Sequence, residues 1–162
     1  FGMVLNESKG SNADGPKSMV GFPGKLKAKK SVFSFGDKLI CIGTDISSID
    51  EKNPTQTTLF QNFLTDPKMP IYSASGTIKK FPYKNVLVQG PKSRVWLIDP
   101  YGNGYYILSD TPINVKKEHQ HSYMNNYSLR TGQVNKGKEE KETEGDYATA
   151  WMEHGFAPTN DS

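Results

Sequence analysis

A single cysteine in 162 residues, Cys41, excludes an internal disulfide, and its setting in the apolar run LICIG reads as a small buried hydrophobe rather than a nucleophile. No stretch approaches the roughly 18 apolar residues of a membrane-spanning helix. The opening FGMVLNE has neither the positive segment nor the small-residue cleavage site of a signal peptide, and reads as a strand already under way. The closing HGFAPTNDS stops without a cap or a charged tail, so the expectation is a chain cut at both ends. An excess of one charge is lacking too: 20 basic against 17 acidic residues leave a net +3, too weak a field to draw the whole chain to nucleic acid or a membrane. Motifs are equally scarce. There is no GxSxG, Walker loop, CxxC pair or dinucleotide fingerprint, and the glycines of YGNGY precede a strand rather than a phosphate-cradling helix.

Helical periodicity is also nearly missing, and what remains is a strand pattern. Runs of Val, Ile, Phe, Tyr and Thr alternate with polar residues and are bounded by Gly, Pro, Asn and Asp. KSVFSF and KLICIG, joined at Gly36-Asp37, predict a hairpin whose leading glycine supplies the positive φ of a type II′ turn. RVWLI and GYYIL, joined through DPYGN, predict a second, with Pro100 and Gly102 reversing the chain. Further strands are expected at 1–6, 56–64, 69–73, 84–89, 113–121 and 147–154. Short strands at this spacing without intervening helices predict an all-β fold, an antiparallel β-sandwich or barrel, formed as one domain over 1–162. The polar stretches 6–18 and 135–146, the latter a mixed charge run, read as solvated loops.

Three features invite a chemical reading. In KEHQHSY, His119 and His121 stand two apart and share a face if the segment is extended, but a catalytic zinc needs a third protein ligand, and His154 lies far along the chain. An ordinary hydrogen-bonded strand face is the expectation there, with no metal site and no cofactor. Lys25, Lys27 and Lys29 form a stripe on one side of KLKAKK, with Leu26 and Ala28 on the other. Such a stripe suits sulfate or carboxylate groups, and equally suits the wet face of an edge strand. Trp96, Tyr101, Tyr105 and Tyr106 offer rings for stacking on a sugar, although core packing accounts for Trp96 as well. Three sequons, at Asn6, Asn126 and Asn160, matter only on a glycosylating secretory route.

Four segments, AKKSVFSFGDKLICIGTDI, TQTTLFQNFL, WLIDPYGNGYYIL and GDYATAWMEHGFAPTNDS, occur in an order that resembles the central β domain of polysaccharide lyase family 8, most nearly its chondroitin ABC lyase branch. They span roughly residues 28–162, and only in combination are they specific. The resemblance implies a bacterial, secreted or periplasmic parent with a helical toroid, a large antiparallel sandwich and a smaller β domain, cleaving uronic-acid glycosidic bonds by β-elimination. It implies that the catalytic Asn, His, Tyr and Arg lie on the toroid and that an assisting sandwich Glu lies upstream of Phe1. Glu7 does not sit in a matching motif and does not inherit that role. His119 and His121 fall on a sandwich strand, so no catalytic residue is expected in this chain. Lys25, Lys27, Lys29 and Tyr105 are the candidate substrate-binding residues, with an acidic glycosaminoglycan and the parent's toroid as expected partners. The rival readings are a stand-alone, non-catalytic carbohydrate-binding sandwich and a structural spacer.

Overall fold

A computed structural model describes residues 1–6, 26–87, 94–108, 111–124 and 141–159. Lys25, most of the loop expected at 6–18 and the sequons at Asn126 and Asn160 lie outside these ranges. Among the described residues there is no helix, and every paired strand is antiparallel. The chain divides into two compact units: residues 1–55 and 154–162 belong to one, and 56–126 and 136–153 to the other, where described.

The first unit is a three-stranded sheet of β1 (Gly2–Asn6), β2 (Lys27–Phe35) and β3 (Lys38–Ser47), in spatial order β1-β2-β3. Its hairpin forms where the turn chemistry puts it. Phe35 pairs with Lys38 across Gly36, whose φ of 58° an L side chain rarely adopts. Apolar side chains on both faces of this hairpin stay exposed, among them Phe35, Leu39 and Ile40. Cys41 is exposed with them, which corrects the expectation of burial. An apolar run specifies a strand but not the second layer that would cover it, and among the described residues none covers LICIG.

The second unit is a sandwich. One sheet holds β4 (Thr55–Phe63, entering from the first unit), β11 (Lys141–Gly155), β10 (Ile113–Met124) and β7 (Tyr83–Leu87) in the order β4-β11-β10-β7. The other holds β5 (Ile71–Ser73), β6 (Gly76–Ile78), β8 (Arg94–Ile98) and β9 (Gly104–Leu108) in the order β6-β5-β8-β9. Phe60, Ile113, Val115, Ala148 and Ala150 from the first sheet meet Ile71, Leu97 and Ile107 from the second. Each comes from alternate positions along its strand, which is how a pleated sheet segregates a dry face from a wet one.

Strand β11 begins at Lys141, so residues 141–146 are strand and not loop as the charge run suggested. KETEGD holds only one β-branched residue, Thr143, and no aromatic, yet it pairs in continuous register with β10: Glu144 opposite His121, Asp146 opposite His119. Pairing with a long neighbour outweighs local propensity here.

Candidate functional site

Along β10 the inward stripe runs Ile113, Val115, Lys117, and the facing stripe of β11 runs Ala150, Ala148. Lys117 is fully buried, and its Nζ donates to the Met69 carbonyl at 2.9 Å. Burial holds its pKa below the usual lysine value, with Asp66 opposing. Beyond it the same alternation continues, but the positions become His119 and His121 on β10 and Asp146, Glu144 and Glu142 on β11, with both histidines exposed. The apolar stripe thus gives way to a cluster of imidazoles and carboxylates at the far ends of the two longest strands.

Distances within the cluster are short. His119 Nδ1 lies 2.7 Å from Asp146 Oδ1, and His119 Nε2 lies 3.5 Å from Glu144 Oε2. His121 Nδ1 is 3.4 Å from both Glu144 Oε2 and Glu142 Oε1, and the two imidazole rings meet edge to face with centroids 4.9 Å apart. The Asp146 hydrogen bond raises the His119 pKa above the usual imidazole value, partial desolvation opposes it, and Glu144 adds to it. One ligand atom each from His119, His121 and Glu144 fall within 4.8 Å of one another. The sheet thus places a carboxylate, Glu144, beside the histidine pair, from a stretch whose composition reads as loop. The available signal was a shared period of two, H-x-H on one strand and E-x-E-x-D on the other.

A second polar constellation is enclosed. Asp99, only 2% exposed, closes the β8–β9 turn by accepting the Tyr101 and Asn103 backbone N–H groups at 2.8 and 3.0 Å on Oδ1. Its Oδ2 accepts the Asn103 side-chain amide at 2.9 Å and the Tyr105 hydroxyl at 3.2 Å. Burial raises the Asp99 pKa, but the hydrogen bonds from Asn103 and Tyr101 outweigh it and hold the carboxyl below its ordinary value. Tyr105 moves the other way: desolvation first, then the Asp99 charge and hydrogen bond, push its phenol up to about 12. A folded pKa above the unfolded value near 10 leaves the stabilisation complete below pH 10 and removes it as pH climbs through 12. By pH 12 the native protein is expected to have lost about 2 kcal/mol relative to a Tyr105→Phe variant, measured by urea unfolding across that range.

The candidate substrate residues do not form one cluster on a single sheet. Lys27 and Lys29 are exposed on β2 with Ala28 buried between them, as the alternation requires, whereas Lys25 lies outside the described residues. Lys29 Nζ is 2.6 Å from Asp45 Oδ2, so part of the stripe's charge is already answered. Tyr105 belongs to the other unit, where its ring packs 5.3 Å from that of Phe60 and its hydroxyl is engaged by Asp99. Trp96 and Tyr106, paired across β8 and β9, keep exposed rings, and Tyr101 is exposed with its hydroxyl donating to the Phe63 carbonyl at 2.7 Å.

An all-β chain of stacked antiparallel sheets with this segment order matches the family model for the polysaccharide lyase family 8 super-sandwich domain over residues 3–162, and the chain belongs to that family. It is 34% identical over 147 residues to a chondroitin sulfate ABC endolyase of Proteus vulgaris, an alignment covering 91% of this chain and 13% of that enzyme. A chondroitin sulfate ABC exolyase of Bacteroides thetaiotaomicron is 30% identical over 158 residues, covering 98% of this chain and 12% of the enzyme. Among solved structures, a chondroitinase AC lyase matches with a TM-score of 0.57 and 26% identity over 83% of this chain and 18% of that one. The chain therefore spans about an eighth of the length of these two curated relatives.

Proposed function

We propose that this chain is the sandwich portion of a bacterial, secreted or periplasmic enzyme that cleaves chondroitin-type glycosaminoglycans by β-elimination, and that it supplies support for the substrate cleft rather than the reacting groups. The observation that carries this reading is the family match over 3–162 in a chain covering only 12–13% of two chondroitin sulfate lyases. Elimination from a uronic acid needs the carboxylate neutralised, a base for the C5 proton and an acid for the leaving oxygen. The buried titratable groups of the sandwich are poorly suited to those duties. Tyr105 is held protonated against Asp99, and Lys117 is committed to a backbone carbonyl. A helical toroid of the same parent chain is the proposed carrier of the catalytic residues.

The second reading, a free-standing module that binds acidic glycans without cutting them, draws on Lys25, Lys27 and Lys29, with Tyr105 and its exposed neighbours offering rings. Exposure of Lys27 and of Trp96 and Tyr106 favours it. A chondroitin sulfate titration at two salt concentrations separates the two. The support role expects no saturable binding by the chain alone. A binding module expects saturable affinity that falls as salt rises and weakens in a Lys27→Ala, Lys29→Ala variant, because exposed charges are screened within about 10 Å at 0.1 M salt.

A further inference from the structure

We propose that His119, His121 and Glu144 form a binding site for a zinc-class divalent transition-metal ion, with Asp146 as the residue that positions His119. The inference stands apart from the lyase reading, since it rests on side chains of β10 and β11 alone.

Geometry is the first argument. Tetrahedral zinc with bonds of about 2.0–2.1 Å has donor atoms about 3.4 Å apart. Glu144 Oε2 lies 3.5 Å from His119 Nε2 and 3.4 Å from His121 Nδ1, so two edges of such a tetrahedron are already present. Closing the third, between the imidazoles, requires only side-chain rotation, because both histidines and Glu144 are exposed at their outer ends. The backbone is fixed beneath them: His121 and Glu144 are direct partners in the sheet, and His119 is the next residue on the same face.

Proton placement is the second. A carboxylate only accepts, so at the 2.7 Å contact His119 donates its Nδ1–H to Asp146 Oδ1, which leaves Nε2, 3.5 Å from Glu144 Oε2, as the ring nitrogen available to a metal. A carboxylate fixing one imidazole nitrogen while the other binds metal is the usual outer arrangement at histidine–zinc sites. Charge is the third. The carboxylates of Glu142, Glu144 and Asp146 each lie within 3.4 Å of an imidazole nitrogen of His119 or His121, so a cation held by the two rings meets three anionic side chains. With three protein ligands, the remaining position is open to water or an anionic ligand. The donor set of two imidazoles and one carboxylate selects zinc, cobalt, nickel or copper over magnesium and calcium, which prefer all-oxygen shells.

The test uses the full chain, freed of metal by a chelator. Co²⁺ is titrated while its visible absorption is recorded, and Zn²⁺ affinity is read by competition with a chromophoric chelator. One equivalent is expected to bind, with Zn²⁺ displacing Co²⁺ and Ca²⁺ failing to. Asp146→Asn, which keeps all three ligands, is expected to weaken Zn²⁺ by about 10- to 100-fold, and His121→Ala and Glu144→Gln by at least about as much. His121 and Glu144 are exposed and Asp146 is half-buried, and unchanged far-ultraviolet circular dichroism verifies that each variant folds. Binding that is absent, that is equally tight in His121→Ala, or that Ca²⁺ displaces as readily as Zn²⁺ overturns the proposal.

Discussion

Asp99→Ala is expected to lower the free energy of unfolding by about 3–5 kcal/mol, because one carboxylate is the buried acceptor for four donors and each stranded donor costs about 1–3 kcal/mol before relaxation. Two of those donors are the Tyr101 and Asn103 N–H groups that define the β8–β9 turn, and two are the side chains of Asn103 and Tyr105. Alanine leaves all four without their acceptor and opens a small void. Asp99→Asn keeps the shape but offers a single acceptor oxygen, so it is expected to cost less. The native carboxyl also makes stability depend on acidity. Its folded pKa lies below the ordinary 3.8, so its contribution is in place above that value and is lost as pH falls through the folded one. Urea midpoints for the native chain and both variants, measured from neutral pH into acid, check these statements. The difference between native and Asp99→Asn should shrink at the acid end, with the urea dependence of unfolding unchanged.

Ile113→Ala is the other large effect, expected at about 2–5 kcal/mol in the same unfolding measurement. Ile113 is fully buried on β10, with Met152 of β11 on one side and Leu87 of β7 on the other, and it belongs to the core shared with Leu97 and Ile71 of the facing sheet. Neighbours fixed by backbone pairing on both sides cannot collapse into the space, which places the cost toward the upper end. A matching truncation at Leu39, exposed at 69%, should change stability by less than about 0.5 kcal/mol. If the two substitutions proved equal, the division into a packed sandwich and an open hairpin would be wrong.

The contrast between those sites shows where the sequence was informative. Turns carried by residue chemistry were legible. Gly36-Asp37 and the DPYGN segment sit between strands that the structure finds at Lys27–Phe35, Lys38–Ser47, Arg94–Ile98 and Gly104–Leu108. The family was legible too, because its segments recur in a fixed order, as the match over 3–162 shows. What escaped depends on partners distant in the chain. Gly76–Ile78 is a strand only because it pairs back on Ile71–Ser73, and three residues carry too little pattern to announce it. Residues 141–146 are extended because β10 is long enough to pair with them, despite a composition that favours solvent.

The candidate sites divide in the same way. His119 and His121 were visible as a pair, but their third partner required knowing that Glu144 lies opposite His121. Asp99 read as one turn residue among several, and its hydrogen bonds to the side chains of Tyr105 and Asn103 appear only once the β8–β9 hairpin has formed around it. Lys117 was the least legible. A lysine at an inward position contradicts the apolar stripe, and it is tolerated because its stem is long enough to carry the ammonium to the Met69 carbonyl. Cys41 erred in the opposite sense, since an apolar neighbourhood in sequence implied a cover that the described residues do not provide.

The proposal that this sandwich supports catalysis without performing it is tested most directly by incubating the isolated chain with chondroitin sulfate and following the ultraviolet absorbance of the unsaturated uronate that β-elimination creates. The account predicts no product above the buffer control, at any pH at which the chain stays folded. Sustained turnover by these 162 residues alone, abolished by a single substitution within them, would contradict it.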